Sequence, residues 1–256
     1  METNPAAPAA EGGTFVKRLR DFGVIFVVAV AAAMFLRTFV LEVYNIPSRS
    51  MEPALLAGDH LVVSRLFYGA RIGSLLIPGW SSPDRGEVIV FELPASAGSG
   101  RGAFTFVKRC VAVPGDSIAI AGESIWVNGA LVRAQTGDQS PAPAPPRTGW
   151  RIPLPGEEIQ LSFDVLPLWH SLIAREGHRV EALPAGEIRI DGAPATSYRV
   201  MQSHYFVVGD NRSDSYDSRQ WGLLPGSAII GKAALIYWSG SEEGGVRWSR
   251  IGSPIR

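Results

Sequence analysis

Cysteine is all but missing from this chain: Cys110 is the single one in 256 residues. An intramolecular disulfide is therefore impossible, and a metal cluster built on cysteines is excluded as well. Net charge is missing too. With 24 basic and 24 acidic side chains, no bulk electrostatic attraction favours nucleic acid as a partner. Histidine is scarce, and His60, His170, His178 and His204 stand in no recognisable triad context and show no metal-ligand spacing. Neither a metal nor a cofactor is expected.

Long apolar runs are equally scarce, and the only one covers residues 22–36, fifteen positions without a charge, after Lys17, Arg18 and Arg20. At about 1.5 Å per residue it spans roughly 22 Å, short of the roughly 30 Å hydrocarbon core. Extending it to residue 41 reaches about 30 Å but includes Arg37, whose guanidinium can snorkel to the headgroups. Three readings compete. A cleaved signal peptide needs small residues at a polar exit, whereas Ala31-Ala32-Ala33 lies inside the apolar run. A buried globular helix is normally amphipathic, whereas this run is apolar on all sides. The expectation is an uncleaved single transmembrane anchor over residues 17–43, behind a disordered cytoplasmic tail over residues 1–16 that is rich in Ala, Pro and Gly. The basic flank then places the N-terminus in the cytoplasm and everything after about Tyr44 outside.

What is present begins just past that run, at Asn45-Ile46-Pro47-Ser48-Arg49-Ser50-Met51-Glu52-Pro53. Two prolines make a regular helix or central strand through Ser50 unfavourable, so Ser50 is expected on a rigid, exposed turn. A serine hydroxyl is a poor nucleophile at neutral pH without a base to take its proton. With no histidine in a suitable context, the candidate base is Lys108 in Phe104-Thr105-Phe106-Val107-Lys108-Arg109-Cys110-Val111-Ala112. Read with period two, Lys108 shares a face with Phe106, Cys110 and Ala112 and is the only charge on it. Burial there disfavours the ammonium, and lowering the amine from about 10.4 to about 8 costs roughly 3 kcal/mol. The alternative is that Lys108 and Arg109 are two solvated cations at a strand edge.

The remaining signals are mostly β. Residues 60–64, 87–92, 117–120, 124–127, 187–190, 205–208 and 228–237 read as strands, and Asn128-Gly129 and Asp191-Gly192 read as hairpin turns. Six prolines within residues 141–155 make an extended connector, and residues 161–175 can hold a short helix. Residues 121–203 are expected to be a small inserted α/β subdomain without catalytic groups, interrupting a catalytic β domain over residues 44–120 and 204–256.

The chain resembles a bacterial type I signal peptidase, a membrane-bound serine protease with a Ser-Lys dyad. Three blocks carry the likeness: Pro47-Ser48-Arg49-Ser50-Met51-Glu52-Pro53 with Leu55-Leu56-Ala57-Gly58-Asp59; Phe106-Val107-Lys108-Arg109 through Pro114-Gly115-Asp116; and Gly209-Asp210-Asn211-Arg212-Ser213-Asp214-Ser215-Tyr216-Asp217-Ser218-Arg219-Gln220-Trp221-Gly222. Asp84-Arg85-Gly86-Glu87-Val88-Ile89-Val90-Phe91 resembles a fourth, structural block. The resemblance implies a signal-peptidase-like β-fold with Ser50 as nucleophile and neutral Lys108 as base. It also implies Ser50 N–H and the Ser48 hydroxyl as oxyanion donors, and Ser215 hydrogen-bonded to the lysine amine. Asp217 paired with Arg219 would support the active-site wall, with Asp210 as a further supporting acid. The implied activity is cleavage of signal peptides from secretory preproteins at small-x-small, Ala-x-Ala, sites. The implied place is the bacterial inner membrane, in contact with lipid and near the translocation machinery, with the catalytic domain on the periplasmic or extracellular side. Arg49 departs from the pattern by replacing a small residue, and Ser213 stands where an Asp is usual. Two other readings remain open: a Ser-Lys protease with one narrow target, and an anchored β-domain that binds exported proteins without cutting them.

Overall fold

The computed structural model describes residues 12–35, 41–65, 67–72, 75–79, 81–93, 104–135, 143–184, 186–241 and 244–255. Two compact units divide the chain, Met1–Leu41 and Glu42–Arg256. In the first, helix α1 runs over Gly12–Phe35. Residues 12–16 are therefore helical and not part of a disordered tail; residues 1–11 lie outside the described residues. Lys17, Arg18, Arg20 and Asp21 interrupt its N-terminal half, so its uncharged part is only about 21 Å long at about 1.5 Å per residue. Among the described residues no helix is long and apolar enough to cross a membrane. The extension through Arg37 lies outside the described residues. Residues 41–43, counted with the expected anchor, instead begin a strand.

The second unit is mostly β, in agreement with the sequence reading. Its main sheet has seven strands: β1 (Leu41–Asn45), β2 (Asp59–Ser64), β3 (Val88–Leu93), β4 (Phe104–Ala112), β5 (His204–Val208), β6 (Leu224–Pro225) and β7 (Ile229–Ser239). They lie side by side in the order β1-β2-β7-β3-β4-β5-β6. The β3 sequence Val-Ile-Val-Phe-Glu-Leu is β-branched and aromatic, suited to a strand covered on both faces. Its side chains divide by period two. Ile89, Phe91 and Leu93 join Cys110, Tyr205, Val207 and Trp221 in one core, while Val88 and Val90 join Ile46, Met51, Leu55, Leu61 and Val63 in another.

Between β4 and β5 the chain builds smaller sheets. Ser117–Ala121, Ser124–Val127, Ala130–Val132 and Trp150–Arg151 form one of four strands. Two further sheets and helix α2 (Leu166–Arg175) follow. The turn residues Asn128, Gly129, Asp191 and Gly192 all take positive φ, as the hairpin signals require. This region shares a core with the main sheet, since Ile118, Ile125, Leu172 and Val200 pack with Val111, Ala112, Phe206 and Val208.

Candidate active site

Ser50 is held by the turn that carries it. Glu52 N–H donates to Arg49 O at 3.0 Å and Leu55 N–H to Met51 O at 2.8 Å, while the Met51 and Leu55 side chains are 1% and 0% exposed. These two apolar anchors draw the turn inward, so Ser50 is buried at 9% exposure and the expected exposed turn is corrected. Pro47, Ser48 and Arg49, just before it, face outward. The far end of the turn is fixed by Asp59, fully buried, which accepts from Leu56 N–H at 2.8 Å, Ser239 Oγ at 2.6 Å and Arg250 Nη2 at 2.6 Å. Burial alone would raise the Asp59 carboxyl; the Arg250 and Ser239 bonds outweigh it and hold it below its usual range. Gly58 takes φ of +87°, and a Cβ there would overlap Gly240 O, so no other residue fits.

Lys108 lies in the middle of β4, opposite Ile89, with Phe106 and Cys110 two residues away on either side. Its side chain is 3% exposed, and Nζ lies 2.5 Å from Ser50 Oγ. Burial lowers its pKa from 10.5 to about 8, against the opposing pull of Asp217, Asp214 and Asp210. Ser48 Oγ lies 3.3 Å from Ser50 Oγ, so three polar groups converge at one point.

The third sequence block packs against this pair. Gly209 follows β5, and a Cβ on it would overlap both Ser215 Oγ and Ser50 O. Only hydrogen fits between the two segments. Asn211 N–H donates to Ser50 O at 3.1 Å and Asn211 Nδ2 to Arg49 O at 3.3 Å, tying the loop to the backbone of the Ser50 turn. Asp217 caps the short helix α3 (Ser218–Trp221) in a capping box with Gln220. Its buried carboxylate accepts Arg219 Nε at 2.8 Å, Arg219 Nη2 at 2.9 Å and Gly209 N–H at 3.0 Å. Burial alone would raise the Asp217 carboxyl; the Arg219 and Gly209 bonds reverse that and lower it.

Ser215 Oγ is buried beside Gly209 and lies close enough to Asp217 to favour its carboxylate, yet it completes no hydrogen bond among the described residues. The bond to Lys108 that the resemblance implied is not formed. Asp210 receives Arg109 Nε at 2.7 Å and Nη2 at 2.6 Å, both partners being nearly buried. The structure thus brings Ser48, Ser50 and Lys108 into direct contact and sets Asp217 and Arg219 behind Gly209. Asp210 belongs to a separate ion pair. Gly209, Asn211, Arg109 and Asp59 were not singled out from sequence. Arg109 had appeared only as a member of the second block and as one of two cations at a strand edge, with no partner assigned. No group of three His, Cys, Asp or Glu among the described residues is arranged to hold a metal ion.

A buried hydroxyl in contact with an amine that loses its proton near pH 8, on a mostly β scaffold, provides what a serine peptidase requires: a nucleophile and a group able to deprotonate it. The family model for "Signal peptidase, peptidase S26" matches residues 19–238. The signal peptidase I of Pseudomonas aeruginosa is 32% identical over 232 residues, covering 85% of this chain and 70% of that protein. That of Aquifex aeolicus is 30% identical over 239 residues, covering 82% and 81%. A probable signal peptidase I-2 of Synechocystis is 27% identical over 218 residues, covering 85% and 72%. The chain belongs to the signal peptidase I family, serine proteases that remove signal peptides from preproteins and are typically membrane-associated.

Proposed function

We propose that Ser50 and Lys108 form a Ser-Lys dyad that cuts preproteins at Ala-x-Ala sites through an acyl-enzyme. The observation that carries this reading is the 2.5 Å contact between Lys108 Nζ and Ser50 Oγ in a buried setting. Neutral Nζ takes the Ser50 proton as Oγ attacks the scissile carbonyl, and the resulting ammonium protonates the leaving amine. Neutral again, Nζ takes a proton from the water that hydrolyses the acyl-enzyme and returns it to Ser50 Oγ as that oxygen leaves. The Ser48 hydroxyl, already 3.3 Å from Ser50 Oγ, and Ser50 N–H receive the oxyanion. Asp217, Arg219 and Ser215 hold the wall behind Lys108, and Asp210 with Arg109 secures the strand that bears it. No metal or cofactor has a role in this scheme.

Specificity for small side chains is supported by the surroundings of the dyad. Ile46, Met51, Leu55 and Val107, which flank Ser50 and Lys108 in sequence, belong to one apolar cluster, in keeping with apolar subsites for small side chains. The basic flank Lys17, Arg18 and Arg20 and the exposed apolar side chains Phe22, Ile25 and Phe26 support α1 as part of an anchor in a bacterial inner membrane. The N-terminus is then cytoplasmic, and the catalytic parts, residues 44–120 and 204–256, lie outside beside lipid and the translocation machinery, with residues 121–203 inserted between them. The test is cleavage of one secretory preprotein by the purified full chain. Wild type is expected to release the mature protein, and Ser50→Ala, Lys108→Ala and Lys108→Arg to be inactive while folded. Arginine stays protonated and cannot serve as a base. An active Lys108→Arg protein would assign the base to another residue.

A further inference from the structure

The active-site loop touches the smaller four-stranded sheet through one side chain that the dyad chemistry does not use. Arg212 opens the short turn Arg212–Asp214 and is only 7% exposed. Its Nη1 reaches Glu123 O at 3.5 Å and its Nη2 reaches Val132 O at 3.4 Å, both long bonds, and its Nε is buried without a hydrogen-bond partner. Glu123 sits in the turn after Ser117–Ala121, and Val132 ends Ala130–Val132; neither belongs to the main sheet. Arg219, Asp217, Asp210 and Glu123 are the charged groups whose fields act most on the guanidinium. On the other side, Arg212 O accepts Arg219 Nη2 at 2.7 Å. Arg219 grips Asp217, Asp217 accepts Gly209 N–H, and Gly209 abuts Ser50 O.

Burying a guanidinium on two long bonds, with Nε unpaired, is a poor way to fill space: an apolar side chain of that length would pack there without the desolvation cost. Its geometry suits a link between two segments better than a core plug. We infer that Arg212 is a positioning residue through which the hairpin at Glu123 and the strand end at Val132 hold the 209–219 loop against the dyad. Residues 117–132 then shape catalysis without touching substrate. This rests on the dyad assigned above.

Arg212→Met and Glu123→Lys in the full chain test it. Glu123 is exposed, so its replacement leaves the fold intact and only repels Arg212 from the hairpin. The chain has three lysines, Lys17, Lys108 and Lys232, so the Lys108 amine can be followed by NMR of isotopically labelled lysine without any substrate. Arg212→Met is expected to lower kcat about tenfold or more, with KM for an Ala-x-Ala peptide within about twofold, and to move the Lys108 midpoint upward. Glu123→Lys is expected to lower kcat by about threefold and also to raise the Lys108 midpoint. An added cation acting through its field alone would lower that midpoint, so the sign separates loosening from direct electrostatics. Unchanged kcat and an unmoved or lowered Lys108 midpoint in Glu123→Lys would overturn the inference, as would a folded Arg212→Met protein equal to wild type in both. A wild-type chain that fails to cut the peptide would instead sink the proposed function, and the lysine titration would still decide the positioning role.

Discussion

A lysine amine that titrates near 8 instead of 10.5 changes stability as well as reactivity. Above about pH 10.5 the amine is neutral in both folded and unfolded chains. Between that value and about 8 the unfolded chain binds a proton that the folded one does not, so stability falls as pH falls through this window and is lowest below it. The full penalty at neutral pH is about 3 kcal/mol at about 1.36 kcal/mol per unit. Lys108→Met removes it and forfeits the bond to Ser50, worth about 1 kcal/mol. The variant is therefore expected to be inactive yet about 2 kcal/mol more stable at pH 7, with the gain gone near pH 11, as read by urea denaturation at both pH values. The same titration sets activity: kcat/KM should climb with pH through an acid limb near 8. Gly209 is governed by space alone. Gly209→Ala drives a methyl group into Ser215 Oγ and Ser50 O, and displacing the nucleophile's backbone by even a fraction of an ångström should cost about 10²-fold in kcat with little change in melting temperature, read by peptide cleavage beside calorimetry.

Elements that bear the site are coupled by contacts of very different sequence span, and that span decides what could be read beforehand. Lys108 was legible because alternation along β4 is local: Phe106, Lys108 and Cys110 declare one face within five residues. The hairpin turns were legible for the same reason. Asp217 and Arg219, two residues apart, form a pattern that any solvated loop can show, and only the family resemblance singled them out. Arg109 and Asp210 are 101 positions apart, and nothing in either neighbourhood announces the partner. Gly209 escaped notice because its role is to leave room for a side chain and a carbonyl brought there by other segments. The Ser215 bond to Lys108 was carried over from the family and is not made here. The β4–β5 junction gives a test at this scale. Asp210→Ala leaves the nearly buried Arg109 guanidinium without its carboxylate and should lower stability by about 3 kcal/mol, read as a shift of the denaturation midpoint. Because the bonds of Asp210 go to Arg109 and not to Ser50 or Lys108, the kcat of the folded fraction should fall far less than in Gly209→Ala.

At the scale of the whole molecule, the chain divides into Met1–Leu41 and Glu42–Arg256, and the candidate site lies in the second unit. Every residue of the three apolar cores lies at or after Tyr44, and so does every group placed in the dyad and its supports. A chain beginning at Leu41 therefore keeps β1 through β7 and all the contacts that lower the Lys108 pKa. It is expected to fold and to cut a soluble Ala-x-Ala peptide within about threefold of the full chain, since nothing removed bears on the transition state. Membrane encounter is another matter. On the proposed anchoring by α1, Ser50 and the preprotein share one bilayer, and their effective concentration far exceeds that of a free enzyme. The shortened chain should therefore no longer sediment with vesicles, and it should process a membrane-inserted preprotein about 10²-fold more slowly than the full chain. Equal rates on the inserted preprotein would show that α1 and the residues after it do not anchor the enzyme. A lost rate on the soluble peptide would show instead that the first unit shapes the active site itself.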